Sequence, residues 1–412
     1  MSTETQSLFT RTFWQDPYPV YRRLRQDSPV VCTQTQTGLR VWVVTRYEDA
    51  RAVLTDPRLS KDLRRRPYRI GTVPRDNVEN QAPEEGEILT AHLLNFDPPE
   101  HTRLRRLVSK EFTPRRVERL RPRVERISAE LVAALAQRAR EAADGVVDLL
   151  DGYAFPLPIT VICELLGVPV EDRADFRAWS NALLDARPRE EMLDATVAVR
   201  DYLQRLVAAK RAHPGDDLLS ALVHTADAGD RLTEAELVSM AFLLLIAGHE
   251  TTVNLIGNGV LLLLQHPDQL AALRADPGLL PGAVEELLRH DGPVSISTLR
   301  YTLEPVRIGD VEIPAGEFVE VALGSANRDE RRFDDPDRLD ITRPTSGHLA
   351  FGHGIHYCLG AHLARLEGEV ALRDLLDAFP DLALAVPAEE LRWRNSLLIR
   401  GLEELPVRPY AA

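Results

Sequence analysis

Cysteine is scarce in this sequence of 412 residues, which contains only Cys32, Cys163 and Cys358. Three thiols cannot build a disulfide framework, so we expect a reducing compartment. The sequence has neither a cysteine set for an iron–sulfur cluster nor a flavin fingerprint, so any electrons would have to come from another protein. The polar segment 1–10 lacks an apolar signal or anchor, which predicts a soluble, cytoplasmic protein.

An excess of positive charge is also lacking, because the formal net charge is −13. This balance argues against wholesale nucleic-acid binding. No Ser/Gly linker, low-complexity tract or internal repeat divides the chain, so we predict a single domain over residues 1–412. Residues 57–94 are rich in Pro, Arg, Asn and Glu in their first part and have weak periodicity. Such a segment is either disordered or a functional lid, and we predict a mobile lid loop.

One basic stretch runs against the negative net charge. It contains Arg103, Arg105, Arg106, Lys110, Arg115, Arg116, Arg119, Arg121, Arg123 and Arg126. A solvated helix face is one interpretation, and a patch that docks an acidic electron donor is the other. The sequence leaves both open, because it does not show which charges share a face.

Helical periodicity dominates the rest of the chain. Helices are predicted to open at Asp16 and to cover 47–54, 189–212, 234–265, 282–290 and 359–379. Strands are predicted at 39–45, within 306–321 and near the carboxyl end. Pro122 interrupts a helical pattern and predicts either a kink or a fresh helix start. The fold class is therefore mainly α with a small β region.

The most informative segment is Phe351 to Gly360, Phe-Gly-His-Gly-Ile-His-Tyr-Cys-Leu-Gly. Its glycines allow backbone to approach something large and flat, and a cysteine before a helix has its thiolate favoured. Haem iron held by Cys358 is the leading interpretation. Tyr357 stands where a dinucleotide fingerprint needs glycine, which excludes that motif. A small buried thiol stays open, as does zinc, which the histidines around the thiol could bind. These are His348, His353, His356 and His362.

A second informative stretch is 241–252, Ala-Phe-Leu-Leu-Leu-Ile-Ala-Gly-His-Glu-Thr-Thr. Its charges argue against a membrane span. A glycine in mid-helix costs about 1 kcal/mol relative to alanine, and a buried acid such as Glu250 needs hydrogen bonds. Such local departures are typical of a functional site, although a close helix–helix crossing at Gly248 would explain the glycine as well.

The cysteine segment resembles the haem-ligand signature of the cytochrome P450 family, Phe-Gly-x-Gly-x-His-x-Cys-x-Gly, and matches every fixed position. The resemblance implies haem b, with Cys358 as the iron ligand and Phe351, His356 and Gly360 in the binding loop. A cysteine proximal ligand is the known feature of this family. It also implies a triangular helical prism with haem between the long distal helix and the cysteine-loop helix.

The stretch Ala247 to Thr251 is similar to the family's oxygen-activation motif, Ala/Gly-Gly-x-Asp/Glu-Thr. By this resemblance Gly248 leaves a groove for dioxygen, Thr251 hydrogen-bonds to it and Glu250 relays protons from solvent. An acid and an alcohol suit proton delivery. The threonine favours ordinary monooxygenation and argues against a non-catalytic haem sensor or carrier.

Further positions extend the resemblance along nearly the whole chain. By resemblance the haem propionates are bound by His101, Arg105, Arg300 and His356. Glu286 and Arg289 match the family's Glu-x-x-Arg network, whose third member is predicted to be Arg338, with Arg328 as a substitute.

The resemblance is strongest to actinobacterial enzymes that tailor polyketides and macrolides. It implies hydroxylation or epoxidation of a hydrophobic molecule with electrons from a ferredoxin and an NAD(P)H-dependent ferredoxin reductase. Candidate pocket residues are Leu243, Leu244, Ala247, Val294, Ser295 and Leu398. Steroid-like or terpenoid hydroxylation is the alternative, and a zinc-dependent hydrolase would be a different class.

Overall fold

The computed structural model describes residues 8–35, 38–65, 87–184, 189–227 and 230–411. The described α-helices are α1 Arg11–Gln15, α2 Tyr18–Asp27, α3 Tyr47–Thr55, α4 Glu87–Thr90, α5 Glu100–Ser109, α6 Pro114–Glu118, α7 Arg121–Glu141, α8 Pro156–Leu166, α9 Arg173–Leu184, α10 Arg189–Ala212, α11 Leu218–His224, α12 Glu234–Gln265, α13 Pro267–Ala275, α14 Leu280–Asp291, α15 Leu323–Ala326 and α16 Ala361–Ala378.

The described strands are short. They are β1 Val30–Gln34, β2 Arg40–Val44, β3 Leu59–Ser60, β4 Val147–Asp148, β5 Ala226–Asp227, β6 Asp230–Arg231, β7 Arg300–Thr302, β8 Val306–Ile308, β9 Val311–Ile313, β10 Phe318–Val321, β11 Ala383–Leu384 and β12 Pro406–Arg408. The predicted mainly α fold with a small β region is confirmed. Of the lid predicted over 57–94, residues 66–86 lie outside the described residues.

Local sequence signals locate most helix boundaries well. The predictions of 189–212 and 234–265 coincide with α10 and α12. Pro122 lies in the first turn of α7, so it marks a fresh helix start. Proline is tolerated there because the first turn leaves backbone N–H groups without intrahelical partners.

The chain forms two compact units. The first comprises 1–59, 120–157 and 251–412, and the second comprises 60–119 and 158–250. Helix α12 runs through the boundary, which falls between Glu250 and Thr251. Within the described residues α12 is the one helix long and apolar enough to cross a membrane, and 67% of its apolar window is buried. Such burial is typical of the core helix of a soluble protein.

The first unit contains the main sheet, in the order β1-β2-β10-β7-β3. Strand β10 pairs in parallel with β2, Phe318 opposite Val41, and antiparallel with β7. A second sheet has the order β11-β12-β4. Apolar residues of β2, β10 and α3 form a buried core, including Val44, Val53 and Val319.

A helical layer of the first unit supports the segment around Cys358. On α12 a Cβ at Gly259 would lie 3.2 Å from Leu287 Cδ1 of α14. On α16 a Cβ at Gly368 would lie 3.1 Å from Leu255 Cδ2 of α12. Small residues therefore permit close packing of α12, α14 and α16, which holds the start of α16 in place.

Among its described residues, the second unit is helical apart from the β5–β6 strand pair and Ser60 at the end of β3. Helices α9 and α10 pack through an aromatic cluster of Phe176, Trp179 and Tyr202. The first half of α12 packs on α8 near Ile162. In this contact, α8 packs against the residues of α12 that precede Thr251.

Candidate functional site

The segment Phe351 to Gly360 folds as a tight loop that leads directly into α16. The Cys358 N–H donates to the Phe351 carbonyl (2.8 Å), and the Tyr357 N–H donates to the Gly354 carbonyl (3.1 Å). Gly360 is the N-cap residue of α16. The thiol thus lies just before the amino end of an 18-residue helix, where the helix dipole favours the thiolate.

Two glycines of this loop have backbone roles that the sequence analysis did not separate. Gly352 and Gly354 have φ values of +73° and +72°, which L side chains rarely adopt. A Cβ at Gly354 would also lie 2.9 Å from Thr55 Cγ2 of α3. At Gly360 a Cβ would have no atom within 4 Å, so open space lies beside the thiol on that side.

The three cysteines differ in burial. Cys358 is exposed, as are its loop neighbours Ile355 and Tyr357, whereas Cys163 is fully buried and Cys32 is partly buried. Burial raises the pKa of the Cys163 thiol to about 12. The small buried thiol considered from the sequence therefore describes Cys163 and not Cys358. An exposed thiol among exposed apolar side chains is a surface that a large flat ligand can cover.

The histidines near Cys358 do not form a zinc site. In the part of the chain that the structure describes, no group of three or more His, Cys, Asp or Glu residues could hold a metal ion. His348 instead has Nε2 3.0 Å from Glu285 Oε2. The zinc interpretation therefore has no ligand set.

Helix α12 is mostly buried but has an accessible stripe. Leu243, Ala247 and Thr251 follow one another at intervals of four residues, which places them on one face. Ala247 is exposed, and the other two are half-buried. The neighbouring Thr252 is only 2% exposed. The predicted hydroxyl therefore lies on the open stripe, where a ligand can reach it.

The acid of this motif is buried beside a histidine that the sequence analysis missed. Glu250 is 3% exposed and His249 is fully buried. His249 Nδ1 lies 2.7 Å from the Leu245 carbonyl oxygen, so Nδ1 carries a proton. Its Nε2 lies 3.8 Å from Glu250 Oε2. A histidine in the middle of an apolar helix, directly before the acid, was the available signal.

Gly248 has a packing role. A Cβ at this position would lie 2.9 Å from Ile162 Cδ1 of α8. The close helix crossing that the sequence left open is therefore present. The predicted dioxygen groove at Gly248 stays a prediction.

The four predicted propionate ligands lie in both units. His101, in α5, is 2% exposed, and Arg105 follows it by one turn. In the first unit Arg300 is 4% exposed, with Nη1 3.4 Å from Ser297 Oγ. His356 lies in the 3₁₀ turn Gly354–His356. Their roles toward haem stay predictions.

The Glu-x-x-Arg pair is fully buried, but its predicted third member is wrong. Arg289 Nε donates to Glu286 Oε2 at 2.7 Å, and both side chains are 0% exposed. Arg338 points to solvent, 62% exposed, and pairs with Asp340. Arg343 approaches instead, with Nε 3.4 Å from Glu286 Oε1. The substitute Arg328 binds the His290 carbonyl. The resemblance of the segment 336–339 to the family's network favoured Arg338, whereas the chain turns after this residue and brings Arg343 to Glu286 of α14.

Some candidate pocket residues are brought together in the first unit. The Ser295 N–H donates to the Leu398 carbonyl (3.0 Å), and Val294 forms a β-bridge with Ile399. Leu243, Leu244 and Ala247 lie together on α12 in the second unit. Whether either set contacts a substrate stays a prediction.

An exposed cysteine before a helix, in a loop with open space beside it, can hold haem iron through its thiolate. The residues fit haem on this ground, since Cys358 supplies the soft ligand and Gly360 leaves room. The cytochrome P450 family model matches residues 175–277 and 278–383. The chain therefore belongs to the cytochrome P450 family, and it is a haem-thiolate monooxygenase.

Three relatives illustrate the similarity. Cytochrome P450 107B1 of Saccharopolyspora erythraea is 56% identical over 98% of this chain and 97% of its own. The polyketide biosynthesis cytochrome P450 PksS of Bacillus subtilis is 39% identical over 96% of both chains. The structure of the tirandamycin C-bound P450 monooxygenase TamI has a TM-score of 0.87, with 51% identity, and covers 97% of this chain and 98% of that one. Bacterial enzymes of this kind take electrons from redox partners and bind small-molecule substrates.

Proposed function

We propose that this cytochrome P450 hydroxylates or epoxidises a hydrophobic polyketide or macrolide in the cytoplasm. The observation that carries the proposal is the exposed Cys358 at the entrance to α16. Two similar proteins are named for polyketide biosynthesis or for bound tirandamycin C, which supports this substrate class. The candidate lining is mostly apolar, as expected for such a ligand.

Specific residues are proposed to hold the cofactor. Cys358 would bind the iron, and hydrogen bonds to the propionates would come from His101, Arg105, Arg300 and His356. Phe351 and Gly360 would support the loop, and the small residues Ala247 and Gly248 would leave room beside the cofactor. Haem, when bound, would supply the chemistry that activates dioxygen, which consumes two electrons from the redox partner.

Helix α12 is proposed to supply protons. The Thr251 hydroxyl lies on the accessible stripe, where it would donate a hydrogen bond to dioxygen. Glu250, the buried residue before Thr251, exchanges protons with solvent. The neighbouring His249 restricts the position of the Glu250 carboxylate. An acid and an alcohol held this way deliver protons without admitting bulk water.

The iron ligand is tested by spectroscopy. Purified protein reduced with dithionite and exposed to carbon monoxide should show a strongly red-shifted Soret band. Cys358→Ala should abolish this band. Cys32→Ala, at a partly buried cysteine outside the loop, should retain it. A band that survives Cys358→Ala would refute the assignment.

The substrate class is tested by ligand-induced spin-state shifts. Macrolactones and linear polyketides are titrated beside steroids and terpenoids of similar size. We expect tighter binding and product formation with the polyketide set. Tighter binding and turnover of a steroid would replace this substrate class with the alternative.

The electron donor is proposed to be a ferredoxin reduced by an NAD(P)H-dependent ferredoxin reductase. An acidic donor would bind basic side chains of the α5–α7 segment, many of which are exposed. Turnover should require both added proteins. Equal turnover with the reductase alone would refute the ferredoxin step.

A further inference from the structure

A second ion cluster lies next to the buried Glu286–Arg289 pair but faces the cysteine loop. Its centre is the carboxylate of Glu285 on α14. Arg365 of α16 donates to it twice, from Nε to Oε1 (2.5 Å) and from Nη2 to Oε2 (3.0 Å). His348 Nε2 lies 3.0 Å from Oε2. Three separate segments therefore meet at one carboxylate.

The hydrogen bonds fix the orientation of the His348 ring. Its Nδ1 accepts from the Ala350 N–H (3.2 Å), so Nε2 carries the proton and donates to Glu285. The ring is 4% exposed. Burial alone would raise the pKa of Glu285, but hydrogen bonds from His348 and Arg365 outweigh it and lower the pKa to about 2. The Glu285 carboxylate is therefore ionised at neutral pH.

The same cluster contacts both ends of the cysteine loop. The Arg365 guanidinium carbon lies 4.4 Å from the centroid of the Phe351 ring, a cation–π distance. The Phe351 carbonyl in turn accepts the Cys358 N–H at 2.8 Å. The Phe351 ring also packs on the ring of Tyr357, directly before the cysteine, with the two centroids 6.3 Å apart. Displacement of Arg365 would therefore reach Cys358 along two routes.

We propose that Glu285, His348 and Arg365 are positioning residues for the iron ligand. They hold Phe351 and Tyr357 and thereby fix the Cys358 backbone and the orientation of its thiolate. Such outer contacts tune a metal centre through its ligand. The inference rests on the assignment of Cys358 as the iron ligand.

The test uses the charge-conserving substitution Glu285→Asp in the haem-loaded protein. The shorter side chain keeps the charge but cannot reach His348 and Arg365 together. We expect a shifted haem midpoint potential and, per haem bound, a larger fraction of the carbon monoxide complex at the shorter wavelength of a protonated thiol. Arg365→Lys keeps its charge, loses the two-point contact and should shift both readouts in the same direction.

A matched control separates positioning from stability. Glu125→Gln removes a partner of Arg373, also on α16, at 3.1 Å and similar partial exposure, without touching the loop. It should leave potential and spectrum unchanged. If Glu285→Asp and Arg365→Lys lower only thermal stability, with wild-type potential and spectrum, the proposal is overturned. A red-shifted band in Cys358→Ala would instead overturn the ligand assignment.

Discussion

Single residues of the same type have different environments in this fold, and the environment separates function from packing. Thr251 is half-buried on the accessible stripe of α12, whereas Thr252 is 2% exposed. Cys358 and Cys163 differ in the same way. The degree of burial therefore separates residues of the same type according to whether a ligand can reach them.

The two threonines provide a matched pair for the proposed proton delivery. Thr251→Ala should lower product formed per NADPH by roughly a hundredfold, the lower end of what a positioned proton donor contributes. Peroxide release should rise accordingly. Thr252→Ala should keep product and peroxide near wild type. Product and peroxide are measured against NADPH consumed, and equal effects of both substitutions would contradict the assignment.

Glu320 is a buried acid with no part in the proposed mechanism. It lies on β10 at 5% exposure, and its Oε2 has no hydrogen-bond partner among the described residues. Burial raises its pKa from 4.5 to about 7. Between these pH values the unfolded chain releases its proton while the folded protein retains it. The free energy of unfolding therefore falls as the pH rises from 4.5 to about 7.

Glu320→Gln should remove this pH dependence. The contribution amounts to about 3 kcal/mol at full ionisation, so the variant should gain stability over wild type at pH 8 relative to pH 5. Urea unfolding at the two pH values measures the difference. The exposed Glu312→Gln is the control. A constant difference between variant and wild type at both pH values would contradict the raised pKa.

At the scale of elements, α14 connects two networks through consecutive acids. Glu286 faces the fully buried pair with Arg289 and accepts the Asp340 N–H at 3.0 Å. Glu285 faces the cysteine loop through His348 and Arg365. One helix thus holds both the loop around Arg343 and the loop around Cys358.

The corrected arginine assignment has a measurable consequence. Arg343→Ala should destabilise the protein by about 2–4 kcal/mol, because it removes a partly buried partner of Glu286 and donors to backbone carbonyls. Arg338→Ala should cost about 0–1 kcal/mol, since its pair with Asp340 is exposed. Chemical unfolding of both variants provides the comparison. The reverse order would restore Arg338 to the network.

Local signals predicted the elements better than the contacts between them. Apolar periodicity gave the bounds of α12, and Pro122 gave the start of α7, because both act within a few residues. The cysteine motif located the loop. The approach of Arg343 to Glu286 and the contact of Gly248 with Ile162 depend on segments distant in sequence. No local pattern encodes such pairs.

At the scale of the whole molecule, the basic stretch is partly neutralised. Arg103 pairs with Glu236 and Asp230, and Arg116 pairs with Glu111. Arg106 is exposed in α5. The stretch is basic although the net charge of the chain is −13. The stretch is therefore neither a uniformly solvated face nor a uniformly charged patch.

Charge reversal tests whether this stretch binds the electron donor. The double variant Arg106→Glu, Arg116→Glu should slow reduction by an acidic ferredoxin at low salt while substrate-induced spin shifts stay unchanged. Electrostatic steering acts on the association rate, and salt should reduce the difference. Stopped-flow reduction provides the rates. Arg307→Glu, exposed on β8, serves as control, and equal slowing by it would point to net charge alone.

The order of residues in the first unit has a consequence for biosynthesis. Strand β2 at residues 40–44 pairs with β10 at residues 318–321, and β4 at residues 147–148 pairs with β12 at residues 406–408. Both pairings therefore join segments that are distant in the chain. Local helices can form while the ribosome is still working, but these pairings must wait until residues 318–321 and 406–408 have been made. The sheet that contains β12 is therefore completed only after Cys358 has been made, and we expect cofactor loading to be a late step in folding.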